Sequence, residues 1–381
     1  MKRPFAGRRL GFALPSAIFV LVLLSTLIVG ALFVATEELR AGRGDVANQR
    51  TLAAAEWALE QAATGWDPRY NTALRVGEHA ELLTFDYDLD SVRVVATRTQ
   101  PRAVWLAARA TSGDGRATPA RRVVGGSYRL VGPTISAGAA LTAGGRVTVT
   151  SGGLIAGLDA ANTESSARVC GDEPPANIAA VAVPDSADVC GATCDTTPPL
   201  GLEGDPLVIR GPLANDPSFT TFGDDTRTSL SQRATLVLEA GTYVTRPVTD
   251  GAQCITSDPM NWGDPAATSP CAGHFPIVHV RGDAVVGPGS VGQGVLLVDG
   301  DVTFEANARF AGVVIATNAI VVRGAGAEIA GIAIAANGNG VGATRIENGG
   351  AIRYGGCVAR AAALGAARLA RTPERWWAEL R

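Results

Sequence analysis

The most regular feature of the chain is an apolar run, residues 12–35, that contains no charged side chain. As a helix its 24 residues would extend about 36 Å at ~1.5 Å per residue, enough to cross a bilayer. No break follows it. Thr36-Glu37-Glu38-Leu39-Arg40 leads into an Ala-rich stretch in which Glu56 and Glu60 stand four apart on one face and Leu52, Ala55, Trp57 and Leu59 fall at helical spacings. The pattern predicts one long helix over residues 12–66. It ends at Asp67-Pro68, because proline disfavours helical geometry in the residue before it. Gly42 and Gly44 weaken that helix locally, by about 1 kcal/mol each relative to Ala.

The period then changes from helical to two. Segments 80–88, 91–99, 103–111 and 121–131 read as strands; Val92, Val94 and Ala96 alternate with Arg93, Val95 and Thr97. Four strands with tight connections predict a small antiparallel meander over 67–132. From about Ile135 aromatic residues thin out, and the chain matches itself. Ile277–Val286, Val295–Phe304, Val313–Val322 and Ile332–Gly338 align at offsets of 18, 18 and 19 residues. Each unit is strand, Gly or Asn corner, strand, and Leu236–Val244 has the same shape. Such a period is the signature of a β-solenoid, in which a rung buries its apolar face only by stacking on the next; a β-sandwich with regular strand spacing is the rival. The expected fold is therefore mainly β with a long N-terminal helix, the head over 133–357 being a right-handed β-solenoid with an irregular insertion at about 160–230. Val295, Leu297, Val313, Ile315, Ile332 and Ile334 are expected to stack inward, and Gly282, Gly300 and Asn318 to occupy corners that need positive φ. Residues 358–381 read as an amphipathic helical tail with Arg368 and Arg371 polar and Trp376 and Trp377 interfacial. It either caps the solenoid or binds a membrane surface or partner.

The 33 basic residues (Lys2, otherwise Arg) are interspersed with 36 acidic ones, and no basic stripe with aromatics occurs, which argues against nucleic-acid binding. The six cysteines, Cys170, Cys190, Cys194, Cys254, Cys271 and Cys357, all follow the apolar run. Cys254 and Cys271 bracket a turn-rich loop and are the best disulfide pair, worth roughly 3 kcal/mol in the chain-entropy model. Cys190 and Cys194 form a C-x3-C without a nearby His, so disulfides are expected and a zinc site is not. Asp283 and Asp301 occupy equivalent rung positions, with Asp299 two residues away. They suit an acid–base pair or calcium, or serve simply as corner residues. His274 and His279 have no nucleophile in a recognisable motif, and no Walker loop, G-x-S-x-G or H-E-x-x-H is present. No catalytic residue and no cofactor is expected.

Lys2, Arg3, Arg8 and Arg9 precede the apolar run, which places that end in the cytoplasm and the remainder across the inner membrane in a single pass. A cleaved signal peptide with its cut near Ala31–Ala35 and a plain uncleaved anchor are both open readings. Gly11-Phe12, after the basic leader and at the start of the apolar run, resembles the class III signal of type IV pilins and type II secretion pseudopilins. The resemblance implies that a prepilin peptidase cuts between Gly11 and Phe12, leaving residues 1–11 as a leader and the apolar stretch as half of an assembly helix. Ser16 stands where most major pilins carry Glu as the fifth mature residue, a departure shared with some minor subunits. Residues 10–62, with the acidic pair Glu37-Glu38 and Ala53-Ala54-Ala55-Glu56, resemble the N-terminal domain of PilX-type minor pilins. That likeness implies other pilins as partners, and a head displayed for fibre assembly, capping or adhesion, outside the cell once in a fibre. A membrane-anchored β-helix enzyme acting on polysaccharide and a non-pilus envelope scaffold are the alternatives.

Overall fold

The computed structural model of the chain describes residues 13–87, 90–112, 120–135, 137–159, 176–186, 188–191, 194, 201–211, 219–337, 342–372 and 377–380. Helix α1 (Ala13–Thr64) runs without interruption through Gly42 and Gly44. Among the described residues its first half is exposed along its length; its second half packs on a sheet. That sheet is the expected antiparallel meander, β1 (His79–Tyr87), β2 (Asp90–Gln100), β3 (Ala103–Ser112) and β4 (Arg121–Val131). Strand alternation sends Val92, Val94, Ala96, Val104, Leu106, Ala108, Val124, Tyr128 and Leu130 to one face, where they enclose Ala54, Ala55, Ala58, Leu59 and Ala62 of α1. Small residues on the helix let it lie close to the sheet.

The head is a coil of parallel strands with three faces. One face stacks Leu236–Glu239, Ile277–Val280, Val295–Val298, Val313–Ala316 and Ile332–Ala335 in register. A second stacks 241–243, 284–286, 302–304, 320–322 and 345–347. The third stacks 291–294, 309–312, 328–331 and 351–354. The coil does not stop there. Ala333–Ala335 pairs in parallel with Leu141–Ala143, Thr344–Ile346 with Val147–Val149, and Ala351–Arg353 with Leu154–Ala156. Beyond these lie Ala179–Pro184, Val189–Cys190, Leu202–Glu203 and Val208–Gly211. The chain thus joins the stack in its middle, winds to one end, crosses to the other, and winds back until its last rung closes against its first.

This corrects the reading of 160–230 as an insertion outside the stack. Its described parts over 176–211 supply rungs on all three faces. Their strands are two to six residues long and are interrupted by Pro184 and Pro206, so no 18-residue repeat shows in the sequence. The true excursion is 245–275, tied by the Cys254–Cys271 disulfide. It returns Trp262, fully buried, to the interior, where the Trp262 carbonyl accepts from the Gln293 amide at 2.8 Å and replaces a third-face strand in the first rung.

The inward set is also corrected. Leu296, Val298, Val314, Ala316, Ala333 and Ala335 point into the coil. Val295, Leu297, Val313, Ile315, Ile332 and Ile334 are equally buried, but on the outer side, in a second core with Phe222, Leu230, Ala359 and Ala362. Both sides of this face are covered, so the apolar runs Val295–Val298 and Val313–Ala316 carry no alternation from which parity could be read. The cover is helix Gly356–Gly365, nine of whose ten residues are buried. The tail is therefore not an amphipathic surface helix. After this helix, Arg368–Arg371 and Trp377–Leu380 are strands, both antiparallel to β4, and they return the chain to the stalk sheet. Trp376 lies outside the described residues.

The positive-φ corners are corrected in part. Gly282 has φ 99°, whereas Gly300 and Asn318 do not adopt positive φ. Gly300 is needed for space, since a Cβ there would lie 2.1 Å from Asp283 Oδ1. The stronger requirement is a stacked column, Gly294, Gly312 and Gly331, with φ of 108°, 145° and 138°, where the chain bends from the third face to the first. A Cβ on Gly312 would lie 2.0 Å from the Gly294 carbonyl oxygen.

Gly312→Ala is expected to cost about 2 kcal/mol or more, combining backbone strain with a clash against main chain. Denaturant unfolding would show this as a lower midpoint. Leu296→Ala and Leu297→Ala should each cost about 2–5 kcal/mol. Hydrogen exchange distinguishes them, the first deprotecting the rungs and the second helix 356–365.

Candidate functional site

Beyond Ala35 the stalk is rich in charge, yet Leu39, Val46 and Trp57 remain 61%, 66% and 49% exposed. They are not scattered. Leu14, Leu21, Ile28, Leu32, Leu39, Val46 and Trp57 follow one another at spacings of 7, 7, 4, 7, 7 and 11 residues. At about 100° per residue these positions fall within a band about 40° wide from Leu14 to Trp57, in which Arg50 is the charged exception. The residues buried by the stalk sheet, Ala54, Ala55, Ala58, Leu59 and Ala62, lie on a different face. Spacings of seven, four and eleven are those of a seam that meets another helix. The edge of Trp57 is braced by Phe85, with ring centroids 5.3 Å apart and planes at 84°. Among the described residues, α1 is the one helix long and apolar enough to cross a membrane.

Gly11 and Phe12 lie outside the described residues. Ser16 is exposed in the first turns of α1, and Glu37 and Glu38 are exposed past the apolar run, with Glu37 accepting from Arg40 Nη1 at 2.7 Å. Sequence reasoning missed the continuation of the seam past Ala35, although the heptad spacing of Leu32, Leu39 and Val46 carries it.

The foot of the stalk is locked to the head by polar groups. Asn71, fully buried, donates from Nδ2 to the Ala367 carbonyl at 2.7 Å and accepts from Trp66 Nε1 at 2.8 Å. Arg98, 2% exposed, donates to the Asn71 and Gln100 carbonyls at 3.0 and 3.2 Å and also to that of Pro101. Burial, helped by the charge of Arg102, pushes the Arg98 guanidinium down to about 10. Arg371 pairs with Glu60 of α1.

The carboxylates singled out as possible chemistry are in structural use. Asp283 Oδ1 accepts from the Asp301 amide at 2.8 Å, and Asp301 Oδ1 from the Ala319 amide at 3.0 Å, so each capping side chain ties its corner to the next rung. Asp299 accepts from Arg227 Nη2 and meets His279 Nε2, both at 2.8 Å. Its partial burial pushes the carboxyl up, but the hydrogen bonds of His279 and Arg227 outweigh this and hold it below the ordinary carboxylate range. Cys190–Cys194 and Cys254–Cys271 are disulfides and Cys357 is disulfide-bonded; Cys170 lies outside the described residues. Ligand atoms of Asp188, Cys190 and Cys194 lie within 4.8 Å of one another, but both sulfurs are committed to the disulfide.

No family model and no curated protein matches the chain. Among solved structures it is similar to the competence-associated pilin ComZ from Thermus thermophilus. The identity is 12% and the TM-score 0.24, over 90% of this chain and 96% of that one. A likeness of that size carries no argument.

Because the Asp299 carboxyl is held below its unfolded value, its contribution to stability is present at neutral pH and lost as pH falls through the folded value. Asp299→Asn should therefore lower the melting temperature near pH 7 and converge with the parent protein in acid. Parallel melting curves from pH 7 to 3 check this.

Proposed function

We propose that the chain is a minor, pilin-type structural subunit without catalytic activity. It is made as a prepilin, held in the inner membrane by its apolar run, and assembled with other pilins through α1. The observation that carries this reading is the row of exposed apolar residues along one face of α1, interrupted by Arg50. It runs from the membrane-length stretch into the charged half of the helix and ends at Trp57, which is half exposed beside Phe85. A bilayer would cover only the first half of such a seam, whereas a neighbouring stalk helix would cover both. The basic leader, Gly11-Phe12, the acidic pair Glu37-Glu38 and the Ala-rich packing face are the sequence features that agree. Ser16 and a head of about 300 residues favour a low-abundance subunit, since a head of that size would crowd a lattice in which it repeated.

The mature protein should begin at Phe12, which mass spectrometry of the membrane fraction decides; a retained Met1 or a cut near Ala31–Ala35 would sink the prepilin reading. Purified fibres should contain the protein in trace amounts, and its deletion should reduce fibres or secretion. The double variant Leu39→Asp, Val46→Asp should lose incorporation without a change in the melting temperature of the head. If it assembles normally, the seam is not the contact. A plain envelope anchor, the second reading, would leave fibres intact on deletion.

A further inference from the structure

One end of the coil finishes in an open strand. Leu236–Tyr243 pairs with Ile277–Val286 on one side, and among the described residues no strand pairs with its other side. An end rung of a parallel coil leaves a row of amides and carbonyls unmet unless something caps it. The Gly287 amide donates to the Tyr243 carbonyl at 2.7 Å, so Tyr243 faces the neighbouring rung. By alternation Thr242 and Val244 turn their backbone groups to the open side.

The usual protections of an edge are missing. The strand is eight residues long, contains neither proline nor lysine, and is exposed from Glu239 to Thr242. Val237 and Val244, 47% and 56% exposed, stand on either side of its bend, and the Tyr243 hydroxyl meets the Glu239 carbonyl across that bend.

The edge defines what can cover it. A row of backbone donors and acceptors is matched by another extended backbone. A parallel strand can follow the same bend and keep its inward side chains over the column that ends in Leu236 and Leu238. Charge adds a further condition. Glu239 stands in register with Arg281 and pairs with it at 3.5 Å, yet its side chain is 78% exposed. An added strand would set a residue against the open side of Glu239 as Arg281 stands against the other, and a cation there continues the alternation of sign.

We propose that this edge binds an extended segment of another polypeptide by parallel strand addition, with apolar residues over Leu236 and Leu238 and Lys or Arg beside Glu239. The surface is separate from the apolar row of α1, and the proposal rests neither on processing nor on fibre assembly.

The test uses the full chain in detergent. The probe is a fluorescently labelled peptide that copies residues 235–244 but carries Glu239→Lys, with binding read by anisotropy. It should bind with a Kd of about 10–100 µM. A peptide that also carries Tyr243→Pro lacks an amide that would meet the edge and should bind about ten-fold more weakly. Glu239→Lys in the full chain should change its melting temperature little. It should weaken the lysine peptide about three-fold and make a peptide that keeps Glu239 the tighter of the two. Bound peptide should slow hydrogen exchange at Thr242 and Val244. The proposal is overturned if the lysine peptide does not bind, if the proline peptide equals it, if exchanging the charges has no effect, or if hydrogen exchange slows elsewhere instead. Self-association of the chain without peptide, abolished by Glu239→Lys, would put a second copy on the edge and overturn it equally.

Discussion

Everything in the head depends on one parallel seam, the three short pairings by which residues 333–353 close on residues 141–156. A parallel coil has no hairpin partner available nearby, so each rung is held only by the rungs above and below it. Here two separately wound pieces of chain share a single apolar interior, and Leu141, Val181, Leu296, Val314 and Ala333 belong to one buried column set. Because the seam lies within the stack, both points at which the chain enters and leaves the coil are at its waist. That is why the stalk and its sheet attach there.

The attachment is made twice over, by apolar and by polar means. Helix 356–365, mostly Ala and Gly, is thin enough to sit on the outer side of the coil and share a core with Val295, Leu297 and Ile315. The next residues pass the carbonyl of Ala367 to buried Asn71 and then pair with β4. Arg98 fixes the other side of Asn71 and is itself surrounded by carbonyls. A buried guanidinium without its acceptors is costly, so these bonds define one orientation of stalk against head.

The parts legible in the sequence were those with a period. The uncharged run and the Ala-rich stretch announced α1, the alternation of Val92, Val94 and Ala96 announced the meander, and the repeats after Ile277 announced a coil. What stayed hidden lacked a local signal. The doubly covered face reads as continuous apolar residues, so the parity of Leu296 and Leu297 could not be assigned. The rungs in 176–211 are too short and too broken by proline to repeat visibly. The tail is coloured by its Ala and Arg content as helix throughout, while β4 imposes strand on Arg368–Arg371 from outside. The cleft between the foot of α1 and the head joins residues from five separated stretches, among them Trp66, Arg233, Cys254, His274 and Arg368, and no spacing rule connects them.

The seam also sets a clock. Leu141 and its partner Ala333 are about 190 residues apart, and a ribosome adding about 5–20 residues per second separates their emergence by roughly 10–40 s. Any early rung that forms in that interval has an unpaired strand edge, which the later rungs cover when they arrive. The seam's two sides are therefore made at opposite ends of the head's synthesis, and it cannot close before the last rung is made.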